Sequence, residues 1–410
     1  MKVLHFNQAD MIGGAAIAAY RLHHCLAEKG INSSILADVS KSPDPNIFLF
    51  KRLRLVEKLS SRLFWLFGLN YINIASTFSV SRYPIYKEAD ILNFHNLHGG
   101  YFNYLALPNL TAHKCAVFTL HDMWSFTGHC AYSFECDRWK IGCGQCPHLN
   151  TYPAIPRDST ALGWKIKRWV FKHSNLTIVT PSQWLANLAR QSFLSHFSIH
   201  YIPNGLDISI YQPLDRQVCR TTLGLPANKK VLFFTAQSFN DSRKGADLLV
   251  AALQKLPDAL KSDLVLMTMG EGGEALAAYA DIPAMPLGYI DGDRHKALAY
   301  SAADLFVFPT RADNLPIVLQ ESMACGTPMV SFSVGGVAEL VRPGITGLLA
   351  QPEDPADFAT KIVELLEDDS LRQKMAEHCR TIAVEEYSIE LQAERYINLY
   401  REILADFRES

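Results

Sequence analysis

No run of about 18 consecutive apolar residues occurs in this chain, so nothing in it reads as a membrane-spanning helix. The opening stretch, Met1-Lys-Val-Leu-His-Phe-Asn7, lacks the apolar core and small-residue cleavage site of a secretory signal peptide. An excess of one charge is also missing. Against 39 Lys and Arg stand 41 Asp and Glu, a net charge of −2, and no field of one sign is there to recruit nucleic acid. A cytoplasmic protein is therefore expected, with its nine cysteines mainly reduced. What is present is ordinary for a soluble globular enzyme, with 49% apolar and 20% charged residues. A chain of 410 residues exceeds one ordinary core and suits two domains of about 200 residues each.

Lys2-Val-Leu-His-Phe6 reads as a buried parallel strand, Gly13-Gly14 as a turn and Ala15 to Lys29 as a helix, the opening of a Rossmann-like domain. Short apolar runs follow at Ile35–Ala37, Asp90–Phe94, Ala116–Leu120 and Leu176–Val179, each bounded by turn or helix signals. The pattern repeats at Lys230–Phe234, Asp263–Met267, Asp304–Phe308 and Pro328–Phe332, which predicts two doubly wound parallel sheets. Between them, Tyr201-Ile-Pro-Asn-Gly-Leu-Asp207 and Tyr211-Gln-Pro213 crowd Pro and Gly enough to break helix and strand, as a connector does.

The most informative run is Asp313-Asn-Leu-Pro-Ile-Val-Leu-Gln-Glu321, followed at once by Ser-Met-Ala-Cys-Gly-Thr-Pro. Asn314 and Pro316 are typical cap and first-turn residues, which predicts a helix beginning within a residue or two of Asp313. At a rise of about 1.5 Å per residue, the carboxylates of Asp313 and Glu321 would stand roughly 12 Å apart along the axis, about the span from a sugar across a diphosphate to a ribose. A helix N-terminus between them offers N–H groups and a positive dipole end to the diphosphate. Two carboxylates at this spacing also arise by chance, and the context has to decide.

That context is similar, nearly residue for residue, to the acidic motif of retaining glycosyltransferases of family 4, whose two Rossmann-like domains face each other across a cleft in the GT-B fold. The departure lies at the start, where family members usually carry Glu and this chain has Asp313. The charge is kept and the reach is one methylene shorter. The resemblance implies a nucleotide-diphosphate-sugar donor and a glycan or lipid-linked glycan acceptor, with retention of anomeric configuration and with neither an organic cofactor nor a catalytic metal. It also implies an acceptor-side domain over 1–203, a nucleotide-sugar-binding domain over 204–385, and a helical segment over 386–410 that crosses back to the first.

Roles carry over at matching positions. Arg243 and Lys244, ahead of a glycine turn after the strand Val231 to Thr235, resemble the family's phosphate-binding pair and supply a bidentate fork and a compact charge. In isolation such a pair is usually solvated. Backbone N–H groups near Asn314 and Leu315 would add to the clamp, Asp313 would grip sugar hydroxyls and Glu321 the ribose. Glu271, in Gly270-Glu-Gly272, resembles the loop edging the base, and Ile290 the segment whose backbone reads it. A Gly-x-Gly turn is equally a plain strand–helix connection. Gly13 and Gly14 would let the backbone approach a phosphate or sugar. His121, followed by Asp122, matches the His-Asp pair that family members place beside the donor sugar. Asp291-Gly-Asp293 looks like a metal-binding Asp-x-Asp but reads here as a turn and helix cap.

Cys130, Cys136, Cys143 and Cys146 lie within a loop at 128–148, and Cys143-Gly-Gln-Cys-Pro147 has the shape of a zinc knuckle. Structural zinc is the expectation, with buried or redox-labile thiols as the alternative and His129 and His148 as further ligand candidates. The segment from His121 to Pro147 resembles a family 4 subgroup from exopolysaccharide and colanic-acid-type clusters. Residues 48–67 mix five cations with many large apolar groups. They read either as a helix lying on an anionic membrane at the inner face of the plasma membrane, or as an amphipathic helix packed on the first domain. The segment Trp164–Lys172 is a candidate extension of the same surface. Two rival functions remain at this level: a nucleotide-sugar epimerase on the same fold, and a non-catalytic nucleotide-sugar-binding partner of a synthase complex.

Overall fold

In a computed structural model of the chain, residues 1–409 are described. Two compact units form, Met1–Asn204 with Glu390–Ser410, and Gly205–Ile389. The first holds β1 (Lys2–Ala9), β2 (Asn32–Val39), β3 (Ile47–Leu49), β4 (Ile91–Phe94), β5 (Cys115–Thr119), β6 (Thr177–Thr180) and β7 (Ile199–Tyr201), in the order β3-β2-β1-β4-β5-β6-β7. The second holds β8 (Lys230–Ser238), β9 (Leu264–Glu271), β10 (Ala284–Pro286), β11 (Leu305–Phe308), β12 (Met329–Phe332) and β13 (Gly347–Ala350), in the order β10-β9-β8-β11-β12-β13. Neighbouring strands run parallel in both sheets, from the pairing of β1 with β2 to that of β8 with β9.

The order reverses between β1 and β4 in one sheet and between β8 and β11 in the other. Loops leaving the carboxyl ends on either side of such a switch point diverge to opposite faces and open a crevice, which is where open α/β sheets bind ligands.

Covered on both faces, the inner strands bury every side chain of β4, β5, β11 and β12. Phe6 and Phe94 stack at 4.6 Å between centroids in the first core, and Phe306 contacts Phe233 and Tyr300 in the second. Each such ring contributes about 1.5–3 kcal/mol by leaving water. The runs expected as strands from the sequence all fall on inner strands. The four strands that escaped it, β3, β7, β10 and β13, are the four sheet edges. They are three or four residues long and, apart from β13, only half-buried or exposed, so no continuous apolar run marks them.

Two elements differ from expectation. The helix expected near Asp313 spans Ile317–Ala324, with Pro316 as its N-cap and Asn314 and Leu315 in a bend. Proline disfavours helical backbone in the residue before it, so the helix starts only beyond Pro316 and the helical-rise spacing does not apply to Asp313. Residues 48–67 divide into the end of β3, an extended link, and a helix over Arg54–Leu66.

The last helix, Ile389–Glu409, belongs to the first unit from Glu390 on. It is pinned by buried hydroxyls: Tyr396 bonds Thr119 Oγ1 at 3.0 Å, and Tyr400 accepts from Asn93 Nδ2 at 2.8 Å.

Candidate active site

In the second unit, β8 ends in a 3₁₀ turn over Ser242–Lys244, which Asp241 caps by accepting from Arg243 N. Gly245 follows at φ 71°, and a Cβ there would lie 1.9 Å from the Pro309 carbonyl, so only glycine lets this turn dock on the end of β11. Arg311 N closes the contact by donating to the Arg243 carbonyl at 2.8 Å. Cations from the end of β8 thereby meet the carboxylate after β11. Asp313 Oδ2 accepts from Lys244 Nζ at 2.6 Å and from Arg243 Nη1 at 3.0 Å, while Oδ1 accepts from Asn314 N at 3.2 Å. Burial works against the Asp313 carboxylate, but Lys244 and Arg243 outweigh it and hold its pKa below the usual value. Lys244 is shifted down, by burial first and by the Arg243 charge second, with Asp313 opposing.

Glu321 points inward, buried, with Oε2 accepting from the Tyr300 hydroxyl at 3.0 Å. Asn314 and Leu315 are buried in the bend. Glu271 ends β9, one strand from β8, and Ile290 follows β10 and is packed against the core. Asp293 begins the helix Asp293–Ala302 and accepts from Tyr211 at 2.9 Å, in keeping with a first-turn acid.

In the first unit, Gly13 caps the helix Gly14–Glu28 at φ 86°, and a Cβ there would meet nothing within 4 Å, so the backbone faces open space. His121 follows β5 and is half-buried. Two histidines stand behind it: His121 Nε2 bonds His95 Nδ1 at 3.0 Å, and His95 Nε2 bonds His5 Nδ1 at 3.1 Å. A neutral His95 gives one of these two bonds and takes the other, so the chain is satisfied without a charge. Burial lowers His121 to about 4 and His5 to about 3, and drives His95 well below its ordinary value. Asp122 accepts from His98 Nε2 at 2.7 Å, and His98 Nδ1 bonds the Tyr152 hydroxyl at 3.2 Å. Sequence reasoning passed over His95 and His98. Their signal was position, since Phe94-His-Asn-Leu-His98 leaves β4 beside the switch point.

Residues 229–368 match the sequence profile described as glycosyl transferases group 1, and residues 12–210 match that of Glycosyltransferase Family 4. The chain joins a glycosyltransferase family 4 domain to a group 1 domain. Over its whole length it is similar to WcaC of Escherichia coli strain K12, a glycosyl transferase provisionally assigned by name to colanic acid biosynthesis, with 26% identity covering 98% of this chain and 100% of that one. Its fold is GT-B. Sucrose-phosphate synthase of Thermosynechococcus elongatus superposes with a TM-score of 0.74 at 19% identity, covering 99% of both chains. Anabaena Alr3699/HepE in complex with UDP does so at 0.68 and 17%, covering 98% of this chain and 100% of that one.

Within the family 4 domain the four loop cysteines and His129 line one cavity. Burial pushes the Cys130 thiol up to about 12 and the Cys143 thiol up to about 11. As the side chains stand, no three of these groups converge at metal-ligand distance among the described residues. The helix Arg54–Leu66 buries a single residue, Glu57, whose carboxylate accepts from Arg52 Nε at 2.7 Å and Ser76 N at 2.9 Å. Its apolar face looks out, with Leu55 and Leu59 each 80% exposed and Leu63, Trp65 and Leu66 more than half exposed. The helix Thr160–Lys172 behaves differently, burying Trp164, Lys167, Val170 and Phe171 in the domain. No helix among the described residues is long and apolar enough to cross a membrane.

Proposed function

We propose that this protein moves a sugar, with retention of configuration, from a nucleotide-diphosphate donor to a glycan or lipid-linked glycan in the cytoplasm, in the making of a cell-surface polysaccharide. The observation that carries this reading is the meeting of Arg243 and Lys244 with Asp313 at the β8–β11 switch point of the group 1 domain. The likeness to WcaC supports the polysaccharide context.

Arg243 and Lys244 would bind the diphosphate and stabilise the charge that grows on it as the bond from the anomeric carbon to phosphate oxygen breaks. The acceptor oxygen forms its new bond from the same face, and its proton leaves with the departing diphosphate, so no protein nucleophile is required. Asp313 Oδ1, with one bond to Asn314 N, retains capacity to accept from a sugar hydroxyl. Glu321 would take the ribose hydroxyls, Glu271 and the backbone at Ile290 the base, and His121, held neutral, the sugar. Calorimetric titration against UDP, GDP and ADP sugars, followed by NMR of the product's anomeric configuration, tests the reading. Binding of none of them, or inversion at the anomeric carbon, would refute it. Donor breakdown or rearrangement without acceptor would indicate an epimerase.

An anionic bilayer is the surface we assign to the Arg54–Leu66 helix. Its polar residue Glu57 is inside and its leucines outside, the reverse of a helix stabilised by packing its apolar face on a domain. Arg54, Lys58 and Arg62 recur every fourth residue and are exposed beside that face, which complements acidic headgroups.

A further inference from the structure

From Leu120 to Ser159 the family 4 domain contains two 3₁₀ turns, Trp124–Phe126 and Arg138–Lys140, and neither an α-helix nor a strand. So long a stretch without repeating backbone bonds needs another source of order. It wraps the cavity lined by His129, Cys130, Cys136, Cys143 and Cys146, and these four thiols are unpaired.

Three further observations point to a bound cation. Cys143 Sγ already accepts from Gly128 N at 3.2 Å, a bond that favours a thiolate. His129 Nδ1 donates to the Pro153 carbonyl at 2.9 Å, which leaves Nε2 as an acceptor facing Cys146 Sγ at 3.5 Å, so the ring orients that sulfur without itself being a ligand. Lys167 is buried with its ammonium bonded only to the carbonyls of Trp124 and Thr127 and lying 3.6 Å from the Trp124 ring centroid. A buried charge among neutral partners is costly. Asp122 offsets it in part, and Cys130 and Cys143, as thiolates, would add further negative charge beside it.

We propose that Cys130, Cys136, Cys143 and Cys146 hold a structural zinc ion as thiolates. The sulfurs would turn into the cavity to reach Zn–S bonds of about 2.3 Å, with Lys167 offsetting part of the site's negative charge. The ion would fasten the loop that follows His121 and Asp122, and its binding would be coupled to the ordering of that loop. This site stands independently of the transfer reaction.

Elemental analysis and native mass spectrometry of full-length protein, purified under reducing conditions with zinc supplied, are expected to find about one zinc per chain. Co(II) in its place is expected to give the sulfur-to-metal charge-transfer and intense d–d absorption of a tetrahedral thiolate site. Cys143→Ser and Cys146→Ser should each lower zinc content by ~10-fold or more, while His129→Gln retains it. Wild-type protein holding under ~0.1 zinc per chain, or thiol titration finding these cysteines joined as disulfides, overturns the proposal. Loss of zinc in His129→Gln with retention in Cys136→Ser overturns the ligand set.

Discussion

Asp313 and an incoming diphosphate would compete for the same two cations. The carboxylate bonds both Lys244 and Arg243, so its removal should release them to the phosphates. Asp313→Asn is accordingly expected to bind free nucleoside diphosphate more tightly by about 1–2 kcal/mol, roughly 5- to 30-fold in Kd, while turnover falls because the sugar contact is lost. Weaker diphosphate binding in calorimetry would contradict that competition. Lys244→Ala should weaken the same ligand by about 1.5–3 kcal/mol. Glu321→Ala leaves the buried Tyr300 hydroxyl unsatisfied and should cost about 1–3 kcal/mol of stability in urea titration besides weakening donor binding. Tyr300→Phe separates the two effects, since it keeps the carboxylate. Asp313, Glu321, Arg243 and Lys244 were legible in the sequence because each sits in a short motif that resembles the family pattern, whereas nothing along the chain marked Tyr300 as the partner of Glu321. The pairings His5–His95–His121 and His98–Asp122 were not legible either, because they join different strands or their exit loops and no spacing along the chain records them.

Among the elements, the Arg54–Leu66 helix makes the sharpest prediction. Leu59→Glu and Trp65→Glu alter exposed positions and should leave the fold intact. Each should reduce cosedimentation with anionic vesicles by ~10-fold or more, and raised salt should weaken wild-type binding. Binding unchanged by both substitutions would refute the membrane surface. Composition left two readings open here, because a packed amphipathic helix and an interfacial one are built from the same residues. The outward direction of the leucines supports the interfacial reading, and it emerges only once Arg52, Glu57 and Ser76 are seen to meet on the inner side.

For the whole molecule, the buried histidines set a pH dependence. His5 and His121 are neutral in the fold, with pKa values of about 3 and 4, and gain protons in the unfolded chain near the ordinary value of 6.5. Below that value the unfolded state binds more protons, so their contribution is complete above about pH 6.5 and is lost as pH falls toward about 4, at up to about 1.4 kcal/mol per pH unit for each. Denaturant midpoints should decline across that window and flatten toward neutrality. A flat profile between about pH 7 and 5 would contradict it.

The sequence by itself determined the fold class, the inner strands and the acidic motif with its cations. The first two rest on periodicity and turn chemistry, which are properties of neighbours in the chain, and the motif with its cations was picked out by its resemblance to the family 4 pattern. Tertiary structure alone decided the edge strands, the start of the helix beyond Pro316, the ion pairs that tie Asp313 to β8, the histidine chain behind His121 and the outward face of the Arg54–Leu66 helix. All of these depend on contacts between segments far apart in sequence, and the energy that selects such contacts exists only once the sheets have formed.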